Sequence, residues 1–243
     1  MQTKPLGGKA YGSIGHLPSS RLGPGDHFVH PGQEAICTQY PRKGDRIIVQ
    51  EKLDGACVAV ANVDGELIPL TRSGYRAGSA RYEHLQLFEA YLTNEYHRFA
   101  SLLKPGERIC GEWLALAHGT RYNPSHPWFQ PFVAFDIFRD GKRVVYDEFE
   151  MRAFNAAIPQ ACTIHDSETP CTVEQAMLLI GLYGFHGAME SVEGAVWRVE
   201  REGQVDFLAK YVRHDKVDGK YLPEISGGKP IWHWQPPKRK DAA

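Results

Sequence analysis

The sequence predicts an α+β domain built mainly on antiparallel sheets. Three pairs of apolar runs are each joined by a two-residue turn signal, at Asp64-Gly65, Asp140-Gly141 and Glu202-Gly203, the pattern of β-hairpins. Stretches at helical spacing lie between these hairpins. That interleaving favours antiparallel sheets with flanking helices over a doubly wound parallel sheet.

Residues 1–44 are rich in Gly and Pro (LGG, RLGPGD, HPGQ) and read as an irregular leader packed on the domain. The apolar run RIIV then leads into EKLDG, residues 51–55. A strand end there displays Lys52 at a rigid edge. Gly55 is expected to permit a tight reversal, and Asp54 to hydrogen-bond the backbone of that turn. VAVANV-DG-ELIPLTR (58–72) forms the first hairpin. Residues 80–103 place Leu85, Phe88, Leu92, Phe99 and Leu103 near helical spacing, and Pro105-Gly106 ends them. ERICGEWLAL (107–116) reads as a buried strand, and VAFDIFRDGKRVVY (133–146) as the second hairpin. Asp147 and Glu150 form a candidate capping box for EFEMRAFNAA, as Thr172 and Gln175 do for VEQAMLLIGLYG. In the third hairpin (193–213), a two-residue loop would set Glu193 opposite Val212 and Ala195 opposite Lys210. Glu193 and Lys210 would then be diagonal neighbours on one face, roughly 7–8 Å apart.

Composition narrows the class. The 243 residues are 42% hydrophobic and 23% charged, values of an ordinary globular chain of one or two domains. No stretch approaches the roughly 20 apolar residues of a membrane span, and MQTKPLGGKAYGSIG lacks the apolar centre of a signal peptide. The cysteines (Cys37, Cys57, Cys110, Cys162, Cys171) are odd in number and without CxxC spacing, so reduced thiols and a cytoplasmic location are expected. The histidines show no zinc-binding spacing. A net charge of −1 argues against an extensive nucleic-acid surface but allows a local basic site. The basic, aromatic end KPIWHWQPPKRKDAA reads as a flexible tail.

Taken in order, EKLDG, LTRSG with Arg72, GEWL with Glu112, VAFDIF with Phe135, EGAV with Glu193 and AKYVR with Lys210 resemble the covalent nucleotidyltransferase superfamily of KxDG-type ATP-dependent ligases and capping enzymes. The resemblance runs from Glu51 to about Arg213. It implies an ATP-grasp-like ligase adenylylation domain over residues 45–225, with a leader at 1–44 and a tail at 226–243. It further implies that Lys52 is the nucleophile that takes AMP from ATP, with Mg2+ or Mn2+ present. Glu51 would meet the adenine edge, partly through its backbone, Arg72 the sugar or acceptor end, Glu112 the ribose and metal, Phe135 the base, Glu193 the metal, and Lys210 the α-phosphate. Since a free lysine is mostly protonated at neutral pH, Lys52 should be depressed by nearby cations or deprotonated in the loaded complex.

About thirty residues follow Lys210, too few for an OB-fold barrel. The chain is thus most similar to the RNA ligase 2-like group, and His16-Leu17-Pro18 matches a short element of some members. Two departures stand out: Cys57, where such ligases carry Asn or Arg, and Val212, where a second lysine is common. Arg213 and Lys216 are the possible replacements for that charge. The expected activity is joining 3′-OH to 5′-phosphate RNA ends, in a nicked duplex or broken RNA. The chain would act as a monomer, alongside a separate end-healing kinase or phosphatase. The alternatives are a minimal DNA ligase, a GTP-dependent capping-type transferase, or a non-catalytic RNA-end-binding module.

Overall fold

In the computed structural model, which describes residues 3–237, two five-stranded sheets line a common cleft. The first has the order β1 (Gly15–His16), β10 (Gln204–Val212), β9 (Gly194–Arg201), β2 (Asp45–Lys52), β8 (Thr163–Ser167). The second runs β4 (Glu66–Thr71), β3 (Ala56–Val63), β5 (Arg108–Trp113), β6 (Phe132–Arg139), β7 (Lys142–Arg143). All neighbours are antiparallel except β1 and β10, in line with the α+β expectation. Leu53-Asp54-Gly55 carries the chain from the first sheet to the second.

The three hairpins turn where the sequence places them. Asp64-Gly65 (φ 53°, 93°), Asp140-Gly141 (φ 50°, 77°) and Glu202-Gly203 (φ 51°, 72°) all adopt the left-handed pair of a type I′ turn. The third hairpin corrects the expected register. A bulge between Val205 and Phe207 sets Lys210 opposite Val196 rather than Ala195. Arg42 binds the extra residue, Asp206, through its guanidinium. Glu193 consequently lies just before β9 and is not a diagonal partner of Lys210.

Helices cover the outer faces. The expected helix over 80–103 is two, α2 (Glu83–Asn94) and α3 (Tyr96–Leu102), broken at Glu95. The break lets Tyr91 and Phe99 meet edge to face at 6.4 Å while both touch Phe132. With Phe88, Trp113 and Phe149 of α4 (Tyr146–Asn155), they form the core of the second sheet. The capping box at Asp147 does not form. Asp147 pairs with Arg46, and the free Tyr146 N–H donates instead to Glu200 on β9 at 2.6 Å. Thr172 and Gln175 do cap α5 (Val173–Ile180) reciprocally. Ala176 and Ile180 of α5 pack with Trp197 and Val199 under the first sheet.

Asp54 and Gly55 act otherwise than the local turn suggested. The Asp54 carboxylate accepts from Gly119 N at 3.0 Å, on a distant loop. Gly55 has no positive φ; a Cβ there would lie 2.4 Å from the Trp113 carbonyl, so close approach of two strands is what excludes a side chain.

The leader contributes β1 and the short α1 (Gln33–Thr38), and the chain ends in α6 (Pro223–Ser226) and an extended segment. That segment was expected to be flexible, but its described part packs: His233 Nδ1 lies 2.7 Å from Leu114 O, and the Trp234 ring meets Trp113 at 5.3 Å. The closing KRKDAA of the tail lies outside the described residues. Among the described residues, no helix is long and apolar enough to cross a membrane.

One buried network ties the sheets together. Asp136 of β6 is bound by Arg198 of β9, by Arg143 Nε at 2.9 Å and by the Tyr11 hydroxyl at 2.7 Å. Removing one partner of such a network leaves uncompensated buried charge. Asp136→Ala is therefore expected to lower the unfolding free energy by about 3–5 kcal/mol in urea titrations. Arg46→Ala loses pairs that are largely exposed, to Asp147 and Asp166, and should change it by under about 1 kcal/mol.

Candidate active site

Alternation along β2 puts Gln50 and Lys52 on one face of the first sheet. Across the ladder, Gln50 and Lys210 both stand opposite Val196, and Lys52 and Val212 both stand opposite Gly194. Gly194 is itself required, because a Cβ would fall 1.9 Å from the Tyr211 carbonyl. The second sheet closes the cleft with Cys57 and Glu112, paired across β3 and β5, and with Phe135 of β6. The resulting cavity holds about 350 Å³.

Lys52 Nζ lies 2.5 Å from Glu193 Oε2. The other Glu193 oxygen is 3.3 Å from Lys216 Nζ, which also pairs with Asp54 at 2.9 Å. Glu112 accepts the Gly55 N–H at 3.0 Å. Arg72, at the rim, donates to Gly12 O and Ser13 Oγ of the leader. The Phe135 ring packs against Tyr11 at 5.0 Å and 70°.

All seven residues singled out in the sequence thus line one cavity: Glu51, Lys52, Arg72, Glu112, Phe135, Glu193 and Lys210. Glu51 does not send its carboxylate there. Adjacent strand residues face opposite ways, and Glu51 instead accepts the Phe185 N–H at 2.8 Å behind the sheet, its second oxygen buried without a partner. Of the two replacements considered for the charge missing at Val212, Lys216 enters the cluster. Arg213 turns away to the Ser191 and Val192 carbonyls. The Cys57 thiol is pushed well above its ordinary value by burial and by Glu112, so the residue is neutral in the cleft.

The site's electrostatics do not match a lysine depressed in advance. Burial pulls the Lys52 ammonium down, but Glu193 and then Glu112 outweigh it and hold the amine protonated. Burial, with Glu193 adding, raises Glu112 to about 7 against the pull of Lys52. Glu193 stays below the usual carboxylate range because Lys52 and Lys216 overcome its burial. Lys210 is lowered by burial and by the charge of Lys52.

Sequence reasoning passed over several lining residues. Asp26 binds Lys210 at 3.3 Å and His16 Nε2 at 3.1 Å, and His16 Nδ1 lies 2.7 Å from Ser20 Oγ. Gln50 was readable from the period of two. The leader residues were not, because only the β1–β10 pairing brings His16 beside Lys210.

Residues 45–212 match the RNA ligase family model. Among solved structures, Naegleria gruberi RNA ligase with a lysine-to-alanine substitution, ATP and manganese aligns at a TM-score of 0.51 and 15% identity, covering 70% of this chain and 50% of that one. The same ligase with pyrophosphate gives 0.51 and 18%, over 76% and 53%. An aspartate-to-alanine variant without ligand gives 0.54 and 14%, over 94% and 63%. At these identities the likeness is one of fold, and the chain spans about half the length of the first of them. None of the curated proteins matches by sequence.

Two measurements probe the charges. Glu193→Gln removes the main support of the Lys52 ammonium. The amine should then titrate lower by about one unit or more, read from the pH dependence of its chemical acetylation by peptide mass spectrometry. Burial raises Glu51 to about 7, against the Phe185 N–H. The folded chain therefore keeps a proton that the unfolded chain loses near pH 4.5, and stability falls as pH rises between these values. Glu51→Gln should raise the unfolding free energy by about 1–3 kcal/mol at pH 8 and leave it nearly unchanged at pH 4.5.

Proposed function

Because this chain belongs to the RNA ligase family, we propose that it is an ATP-dependent RNA ligase working through a lysyl–AMP intermediate. The observation that carries this reading is the lysine at the end of β2, set 2.5 Å from Glu193, which Lys216 pairs in turn, in a cleft that also holds Lys210 and Glu112. In the first step Lys52 Nζ attacks the α-phosphorus of ATP. The ammonium first gives one proton to Glu193, its nearest acceptor; the N–P bond then forms as the bond to pyrophosphate breaks, and the second proton leaves nitrogen with the departing pyrophosphate or to water. Lys210 stabilises charge on the phosphoryl oxygens, and Lys216 acts through Glu193, which it pairs. AMP then passes to an RNA 5′-phosphate, and a 3′-hydroxyl attacks that phosphate to seal the strand and release AMP. Phe135 offers its ring to the base and Glu112 its carboxylate to the ribose. Arg72 stands at the rim, where the sugar or the acceptor end arrives.

Glu193 and Glu112 are the residues that would hold Mg2+ or Mn2+, since both present hard carboxylate oxygens to the cavity. No three His, Cys, Asp or Glu side chains are grouped for a metal among the described residues, so water and substrate phosphates would complete the ion's shell. When bound, such an ion supplies charge neutralisation at the transferring phosphate. Lys216 supports the catalytic reading over a binding-only module, because it supplies the second ammonium that Val212 lacks.

The adenylylation domain comprises residues 45–225 in this proposal, served by the leader at 1–44 and the tail at 226–243. Five free cysteines accord with a reducing, cytoplasmic setting. The partners proposed are RNA ends, in a nicked duplex or broken strand, and a separate end-healing kinase or phosphatase; the chain acts as a monomer.

Incubation with labelled ATP and magnesium should give a protein–AMP adduct that is absent in Lys52→Ala, with sealing of nicked RNA faster than nicked DNA. An adduct that survives the substitution would defeat the assignment. Labelling by GTP in place of ATP would turn it to a capping-type transferase, and preferential sealing of DNA to a DNA ligase.

A further inference from the structure

The outer end of the cleft carries more cations than the proposed chemistry at the α-phosphate uses, and the chain neutralises them itself. Arg21, in the leader, is fixed by its backbone N–H to Val212 O at 2.9 Å, while its Nη1 reaches Asp218 Oδ2 at 2.7 Å. Asp218 comes from the segment after β10 and also stands 3.8 Å from Lys216. On the other side Asp26 lies 3.3 Å from Lys210. Arg21, Lys210, Asp26 and Asp218 all line the cavity that contains Lys52. The two acidic side chains are the more exposed members of their pairs, at 30% for Asp26 and 55% for Asp218. Ion pairs of that exposure are weak and readily exchanged, whereas the cations they hold are anchored on β10 and on the strand-bound leader.

We propose that Asp26 and Asp218 are internal counter-anions that occupy the cationic mouth of the free protein and give way to the β- and γ-phosphates of an incoming nucleoside triphosphate. Arg21 grips those phosphates through its planar fork. This rests on the ATP-dependent reading above and extends it to the part of the nucleotide that leaves. A triphosphate brings enough charge to displace both carboxylates; a monophosphate, ending at the α-phosphate, does not. After the N–P bond forms and pyrophosphate departs, Lys210 stays with the α-phosphate while Asp218 reclaims Arg21 and opposes pyrophosphate's return.

Calorimetric titration of the full chain with α,β-methylene ATP, inorganic pyrophosphate and AMP tests this without turnover. Asp26→Asn keeps an oxygen to accept the Gly23 N–H that closes its turn, a bond of 2.9 Å, and Asp218→Asn alters an exposed side chain, so both variants retain the fold. Each should bind the analogue and pyrophosphate about three- to tenfold more tightly, with AMP changed less than about twofold in Asp218→Asn. Arg21→Ala should weaken the analogue and pyrophosphate by about tenfold and spare AMP. Unchanged or weaker analogue binding in both Asn variants overturns the exchange, as does an Arg21→Ala loss shared equally by AMP. If the wild-type chain forms the Lys52 adduct and these shifts fail, the inference alone falls. If no adduct forms yet pyrophosphate binding tightens in the Asn variants, the exchange stands and the ligase reading falls.

Discussion

A lysine at the end of a strand, inside a cleft with carboxylates on two sides, is stable only as one half of an ion pair. Lys52 and Glu193 supply that pair, and the surrounding structure is arranged to keep it. A buried charge without a partner is strongly destabilising, so Glu193 is itself shared with Lys216, and Lys216 with Asp54. The chain of alternating charges holds the amine in place but in its unreactive, protonated form. In this proposal, reactivity begins only when the ammonium gives up its proton to Glu193 in the loaded complex. The resting cluster therefore acts as a catch as well as a scaffold.

That both members belong to one site was legible in the sequence from the ordered motifs; their pairing was not, because the expected hairpin register set Glu193 beside Lys210 instead. Hairpin turns with Asp-Gly or Glu-Gly advertise themselves, and the lysine, the two glutamates and the later lysine occur in an order that accidental matches do not produce. What escaped depended on long-range contacts. Nothing local announces the bulge at Asp206, which is held by Arg42 from another segment. The start of α4 takes its cap from Glu200 across the sheet, so the local carboxylate at Asp147 misled. Glu51 is legible only in part. The period-two rule turns its side chain away from that of Lys52, while the residue still lines the cavity.

The leader was the least readable part, and the site depends on it. Gly and Pro spacing says only that residues 1–44 avoid long regular elements. Yet Tyr11 supports Phe135, His16 and Asp26 stand beside Lys210, and the Gly12 carbonyl and Ser13 hydroxyl hold Arg72. Contacts of this kind, between residues separated by up to almost 200 positions, carry no signature in a single sequence.

The three-residue joint between the sheets is bolted on every side: Asp54 N to the Tyr122 hydroxyl, its carboxylate to Gly119, Gly55 N to Glu112, and Trp113 pressed against Gly55. The two halves consequently cannot part there like the covers of a book. Under the proposed activity, traffic of nucleotide and RNA is left to the rim where the leader and the segment after β10 meet, so changes in loop length at that doorway would govern how fast guests come and go while the hearth behind it stays undisturbed.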